Sequence, residues 1–137
     1  MILDTAKIAL TDGTTKAAID LNPGGTVLSV FNYRVGAAPI VNKTVENHRD
    51  IVSLILSNGE RLVGSRDQRV AIVKNKRVRF VEMTDVDPGV EVAGSVAGAH
   101  VVTRIIGIMY HANKEVRLVG LEMPKNGCFV AEGVMCR

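Results

Sequence analysis

Short runs in which apolar and polar residues alternate, rich in β-branched side chains, recur along the chain: Val27-Leu28-Ser29-Val30, Val52-Ser53-Leu54-Ile55-Leu56, Val78-Arg79-Phe80-Val81 and Val116-Arg117-Leu118-Val119. A period of two sends successive side chains to opposite faces of a strand, whereas a helix needs apolar residues three and four apart. The pattern predicts an all-β fold. Turn signals separate the runs at short intervals: Asp12-Gly13, Asn22-Pro23-Gly24-Gly25, Asn58-Gly59, Asp87-Pro88-Gly89 and Lys125-Asn126-Gly127. Asn58-Gly59, between Leu54-Ile55-Leu56 and Arg61-Leu62-Val63, predicts a hairpin. A second hairpin is expected to turn at Lys74-Asn75-Lys76. The only helical candidates are short, such as Thr15 to Leu21 and Phe80 to Val86, the latter with a single turn expected at Glu82-Met83-Thr84-Asp85.

The chain also repeats itself. Leu21-Asn22-Pro23-Gly24-Gly25-Thr26-Val27 resembles Val86-Asp87-Pro88-Gly89-Val90-Glu91-Val92, and a strand follows both. Further on, Ile51 to Leu54, Asn58-Gly59 and Arg61 to Val63 are matched by Glu115 to Leu118, Asn126-Gly127 and Phe129 to Ala131. Two β units within 137 residues cannot each bury a core. They are expected to interlock into one domain, residues 1–137, with Pro23-Gly24 and Pro88-Gly89 in equivalent turns about a pseudo-two-fold axis.

Composition narrows the function classes. Charged residues interrupt every apolar run before a bilayer-spanning length is reached, and Met1 to Lys7 carries no secretory pattern, so a protein cytoplasmic at synthesis is expected, with no membrane partner. With aromatics at 4% and no Trp, stacking sites for single-stranded nucleic acid lack material. Cys128 and Cys136 read as reduced, partly buried thiols. His48, His100 and His111 stand at no ligand-like spacing from them, so no metal is expected, nor any cofactor. Arg61, Arg66, Arg69, Lys74, Lys76, Arg77 and Arg79 alternate with apolar residues. They read either as the wet face of strands or as a contact surface for an acidic protein or a nucleic acid.

Three segments, in order, resemble the Hint superfamily of hedgehog autoprocessing domains, inteins and bacterial intein-like domains. Ile8 to Lys16 with Ile19 to Ser29 is similar to the family's opening Asp-Gly and strand motif. Asn58 to Val70 is similar to the block that normally carries T-x-x-H, and Phe129-Val130-Ala131-Glu132-Gly133-Val134-Met135-Cys136-Arg137 to the family's end. The resemblance covers nearly the whole chain and implies a horseshoe-shaped β fold with internal duplication.

It also implies where chemistry would sit. The family needs a thiol or hydroxyl at its first residue, a Thr and a His to polarise the preceding bond, and often a terminal His-Asn. The nucleophile's place falls on Met1 or Ile2, the Thr on Ser65, the His on Gln68, a strand Asp on Gly120 and the penultimate His on Arg137. Glutamine neither takes nor gives a proton near neutral pH. No segment is expected ahead of Met1, and no Asn after Arg137. Ser65 and Gln68 read otherwise as ordinary strand-end polar residues, and Cys128 lacks a nearby His to activate it.

The expectation is therefore a non-catalytic Hint-like module, working through protein partners as a homo-oligomer or a component of a larger assembly. Its most concrete form is a phage virion protein of capsid, neck or tail, located in the virion. The alternatives are an autoprocessing domain excised or mutated at its ends, and a basic nucleic-acid-binding β module.

Overall fold

The computed structural model describes residues 1–31, 34–125 and 127–137. In the first half the strands are β1 (Ile2–Leu3), β2 (Lys7–Ala9), β3 (Thr15–Ala17), β4 (Thr26–Phe31), β5 (Arg34–Pro39), β6 (Asn42–His48), β7 (Ile51–Leu56) and β8 (Arg61–Ser65). The second half contributes β9 (Arg69–Lys74), β10 (Arg77–Glu82), β11 (Glu91–Val96), β12 (Ala99–His111), β13 (Val116–Glu122), β14 (Phe129–Ala131) and β15 (Val134–Cys136). Each helical candidate holds one 3-10 turn, Ala18–Asp20 and Met83–Asp85. Among the described residues no helix is long and apolar enough to cross a membrane.

The internal repeat survives at atomic detail. The displacement that carries Gly24 to Gly89 also carries the hydrogen bond Gly24 N to Ile40 O (2.9 Å) onto Gly89 N to Ile105 O (2.7 Å). It likewise carries Ile40 N to Gly25 O onto Ile105 N to Val90 O, both 2.8 Å. Both glycines have positive φ, 85° and 90°, a region that L side chains avoid. The following hairpins keep the same register, Thr26 opposite Pro39 in β4–β5 and Glu91 opposite Arg104 in β11–β12. Pro23-Gly24 and Pro88-Gly89 thus occupy equivalent turns.

The halves interlock by reciprocal pairing. β6 of the first half pairs with β13 of the second, and the C-terminal part of β12 pairs with β7, with a bulge between Ile105 and Gly107. One part of the repeat differs from the sequence expectation. Glu115 to Leu118 and Phe129 to Ala131 form no hairpin: β13 pairs with β1 and β6, and β14 with β2 and β15. Ala131 is fully buried, opposite Ile8 on β2 and Val134 on β15, and both edges of β13 are already taken by β1 and β6. The Lys125-Asn126-Gly127 turn lies in part outside the described residues.

The main core cluster draws on both halves, with Ile8, Val27, Leu54, Leu62, Val70, Val92, Ile105 and Phe129 all but inaccessible to solvent. β4 alternates between two cores, sending Val27 into this cluster and Leu28 and Val30 into a smaller one with Ala71, Ala93, Cys128 and Val130. Full burial of an aliphatic side chain contributes roughly 1.5–3 kcal/mol. A closer constraint acts where β11 crosses the Glu132-Gly133 turn. A Cβ on Gly94 would lie 1.6 Å from the Gly133 carbonyl oxygen, so only glycine fits there.

Candidate functional site

β1 is two residues long and wedged between two strands, Ile2 facing Gly64 on β8 and Val119 on β13. Fully buried Ile2 anchors it and delivers Met1 to the end of β8, where Ser65 N donates to Met1 O at 2.9 Å. Close approach here needs glycine, because a Cβ on Gly64 would stand 2.6 Å from that same oxygen.

Four of the five positions named from the sequence meet at this point through hydrogen bonds. The Met1 amino group donates to Ser65 Oγ at 3.0 Å and to Gln68 Oε1 at 2.8 Å. Ser65 Oγ donates to Asp67 Oδ1 at 2.6 Å. Gln68, buried, donates through Nε2 to Arg69 O at 2.9 Å and to Arg137 O at 3.1 Å. The amide orientation follows from these partners, since the oxygen must face the ammonium and the nitrogen the carbonyls. The fifth position, Gly120, joins by packing: Met1 Cε and Cγ lie 3.4 and 3.5 Å from where its Cβ would be.

Burial lowers the Met1 ammonium below its ordinary value, opposed by the charges of Asp67 and Glu46. The Ser65 hydroxyl, bonded to its carboxylate, holds Asp67 below the usual range. Complete burial pushes the Cys136 thiol up to about 12, so it stays neutral and a weak nucleophile. Both cysteines are fully rather than partly buried, and both are free. Cys128 Sγ donates to Val30 O at 3.1 Å and accepts from Val30 N at 3.4 Å, tying β4 to the C-terminal strands.

Sequence reasoning missed two members of this neighbourhood. His48 and Glu46 on β6 pair at 3.0 Å, and their charges reach Asp67 and the Met1 ammonium respectively. The signal was their two-residue spacing on one strand face, but nothing local connects β6 to β1. That link runs through β13.

The basic residues are all exposed yet divide among several places. Arg61 lies on β8. Arg66 pairs with Asp50 at 2.9 Å and sits 5.0 Å from the Tyr110 ring centroid. Arg69 stands opposite Glu82, whereas Lys74 stands opposite Arg77 at the β9–β10 tip, beside Lys76 and close to Arg79. Among the described residues Lys74, Lys76, Arg77 and Arg79 make no ion pair.

This architecture is that of inteins. The chain is similar to the bacterial intein-like domain from Clostridium thermocellum, with 19% identity over 99% of this chain and 97% of that one and a TM-score of 0.79. It is similar to the TvoVMA intein, with 14% identity, 98% and 95% coverage and a TM-score of 0.86. A DnaB intein from Synechocystis gives 13% identity, 99% and 96% coverage and a TM-score of 0.85. No protein-family model and no curated protein matches the sequence. The chain has the all-β, intein-like Hint fold across nearly its whole length.

Proposed function

We propose that this chain is a Hint-fold docking module that neither splices nor cleaves itself. The observation that carries the reading is the seating of Met1. Its thioether side chain packs over Gly120 while its amino group is held by Ser65 and Gln68. Acyl transfer at this position needs a thiol or hydroxyl on residue 1 and a group able to carry a proton. Methionine and glutamine supply neither, and Ser65 has its proton committed to Asp67.

The test is a fusion of residues 1–137 to unrelated sequences at both ends, followed by intact-mass spectrometry with and without added thiol. A single uncleaved species is expected. A specific product at either junction overturns the reading.

The docking surface we infer is the β9–β10 tip. Lys74 and Arg77 face each other across the ladder, an arrangement that destabilises an isolated hairpin and that an acidic neighbour would relieve. A repetitive assembly such as a phage particle is the setting we infer, supported by the unpaired edge of β6 at the end of the large sheet and the exposed Val41 and Val45 beside or on it. Arg77→Glu with Arg79→Glu is expected to reduce co-sedimentation with native assemblies while changing stability by only about 0–1 kcal/mol. Unchanged co-sedimentation would return the tip to an ordinary solvated surface.

A further inference from the structure

Among the described residues β10 has a partner on one side only, pairing with β9 and with no other strand. Which of its main-chain groups face the open side follows from the ladder. Met83 N donates to Gln68 O at 2.8 Å, in the same register that places Glu82 opposite Arg69. Hydrogen-bonded pairs alternate along an antiparallel ladder, so Arg77, Arg79 and Val81 turn their N–H and C=O groups toward β9. Val78, Phe80 and Glu82 turn theirs outward, where among the described residues they meet no partner strand. The space beside them is open along the whole strand. Two adjoining hollows of about 600 and 420 Å³ meet at Arg79, and between them they are lined by every residue of β10. Edge strands are normally blunted by charge, but here the charge reverses along the edge. Lys74, Lys76, Arg77 and Arg79 stand at the tip and Glu82 and Asp85 at the far end, all exposed. Lys76 holds φ of 61° in the two-residue turn of this hairpin, a conformation that favours glycine, so the chain keeps a cation there at a local cost.

We propose that the acidic neighbour of the β9–β10 tip is a second copy of this chain, joined edge to edge through antiparallel β10 strands about a dyad at Phe80. The proposal rests on the reading of that tip as the docking surface. An edge of one sign throughout would repel its own copy, whereas an edge with a basic and an acidic end becomes complementary to itself when one strand is turned end for end. With the dyad at Phe80, Val78 of one copy stands opposite Glu82 of the other and Phe80 opposite Phe80. The outward-facing residues then form three pairs that exchange two hydrogen bonds each. The tip of each copy lies beside Glu82 and Asp85 of the other. Within one copy those two carboxylates make no ion pair among the described residues, although Arg69 stands opposite Glu82. A dyad closes after two copies, so the product is a dimer that leaves the unpaired edge of β6 available to a larger assembly.

The test is sedimentation velocity of residues 1–137 over a concentration series, with amide hydrogen exchange read by NMR at both ends of the series. A reversible dimer is expected. As it forms, exchange slows at Val78, Phe80 and Glu82, while Arg77, Arg79 and Val81, already bonded to β9, stay as they were. Arg77→Glu with Arg79→Glu, and separately Glu82→Lys with Asp85→Lys, are each expected to weaken dimerisation about tenfold or more, because like charges then meet at both contacts. An equimolar mixture of the two variants is expected to restore a dimer, since one copy then carries acidic ends and the other basic ones. A wild type that stays monomeric, protection that falls on other amides, or a mixture that does not associate overturns the proposal. A glutamate-rich peptide that protects the same three amides of a monomeric chain also overturns it and assigns the edge to a different acidic strand. A monomeric wild type whose Arg77→Glu, Arg79→Glu variant still loses co-sedimentation refutes the dimer alone, whereas unaffected co-sedimentation removes the docking reading itself.

Discussion

The Met1 cluster and the open cleft between the β2–β3 hairpin and the Ala97-Gly98 and Glu132-Gly133 turns each hold a serine, carboxylates and an amine, Ser95, Glu60, Glu132 and Lys7 lining the second, yet they are opposite kinds of polar site. Around Met1 the groups satisfy each other: ammonium to Ser65 and Gln68, Ser65 to Asp67, and the Gln68 amide to two main-chain carbonyls. In the cleft Ser95 is buried and unpaired, and two carboxyl groups crowd one another. The contrast teaches that residue type alone does not mark a binding site. A satisfied network locks structure in place, whereas a buried polar group without a partner costs stability.

The strongest way to break the comparison is at the backbone crossing that shapes the cleft. Gly94→Ala drives a Cβ into the Gly133 carbonyl and is expected to cost about 3 kcal/mol or more, seen as a loss of folded protein in urea titration. Next, Gln68→Leu removes the acceptor of a part-buried ammonium and strands two carbonyls, an expected loss of about 2–4 kcal/mol by the same measurement. The two serines sharpen the contrast through opposite signs. Ser65→Ala is expected to cost about 1–2 kcal/mol, whereas Ser95→Ala, which deletes an orphaned hydroxyl, is expected to be neutral or to stabilise by up to about 1 kcal/mol. If both destabilise equally, the two sites are not different in kind.

The smallest effect is in the pH dependence. Asp67, held below its ordinary 3.8 by the Ser65 hydroxyl, contributes stability that is fully present above 3.8 and is lost as pH falls through its depressed value. Glu132 runs the other way. Raised above 4.5 by burial and by Glu60, it contributes stability below 4.5 that is lost as pH rises through its raised value. Carboxyl-carbon NMR titration is expected to show Ser65→Ala moving Asp67 upward and Glu60→Gln moving Glu132 downward.

Much of this was legible in the sequence because it is local. Alternation located the strands, Asn58-Gly59 and the Lys74 to Lys76 stretch marked real hairpins, and the two Pro-Gly turns proved equivalent down to their hydrogen bonds. The positions at Met1, Ser65, Gln68, Gly120 and Arg137 do converge, because the motif spacing that suggested them reflects a fold shared across distant sequences. What stayed hidden is non-local. β14 pairs with β2 rather than following β13, and Glu46 and His48 reach Asp67 and Met1 only through an intervening strand. Ser95 looks like any strand serine until the packing around it shows that no partner arrives. Its burial is set by residues from both ends of the chain.

The reciprocal pairing of β6 with β13 and β7 with β12 makes the two halves mutually dependent. Each half lends a strand to the other and borrows one back, so a half-length polypeptide could complete neither ladder alone. Two identical half-length chains, however, would lend and borrow symmetrically, closing both ladders about a true dyad. One chain thus reproduces within itself the ladders that a strand-swapped dimer of half-length chains would close. The two halves are not identical within that scheme: the hairpin β4–β5 stands as a separate ribbon, whereas β11–β12 belongs to the large sheet.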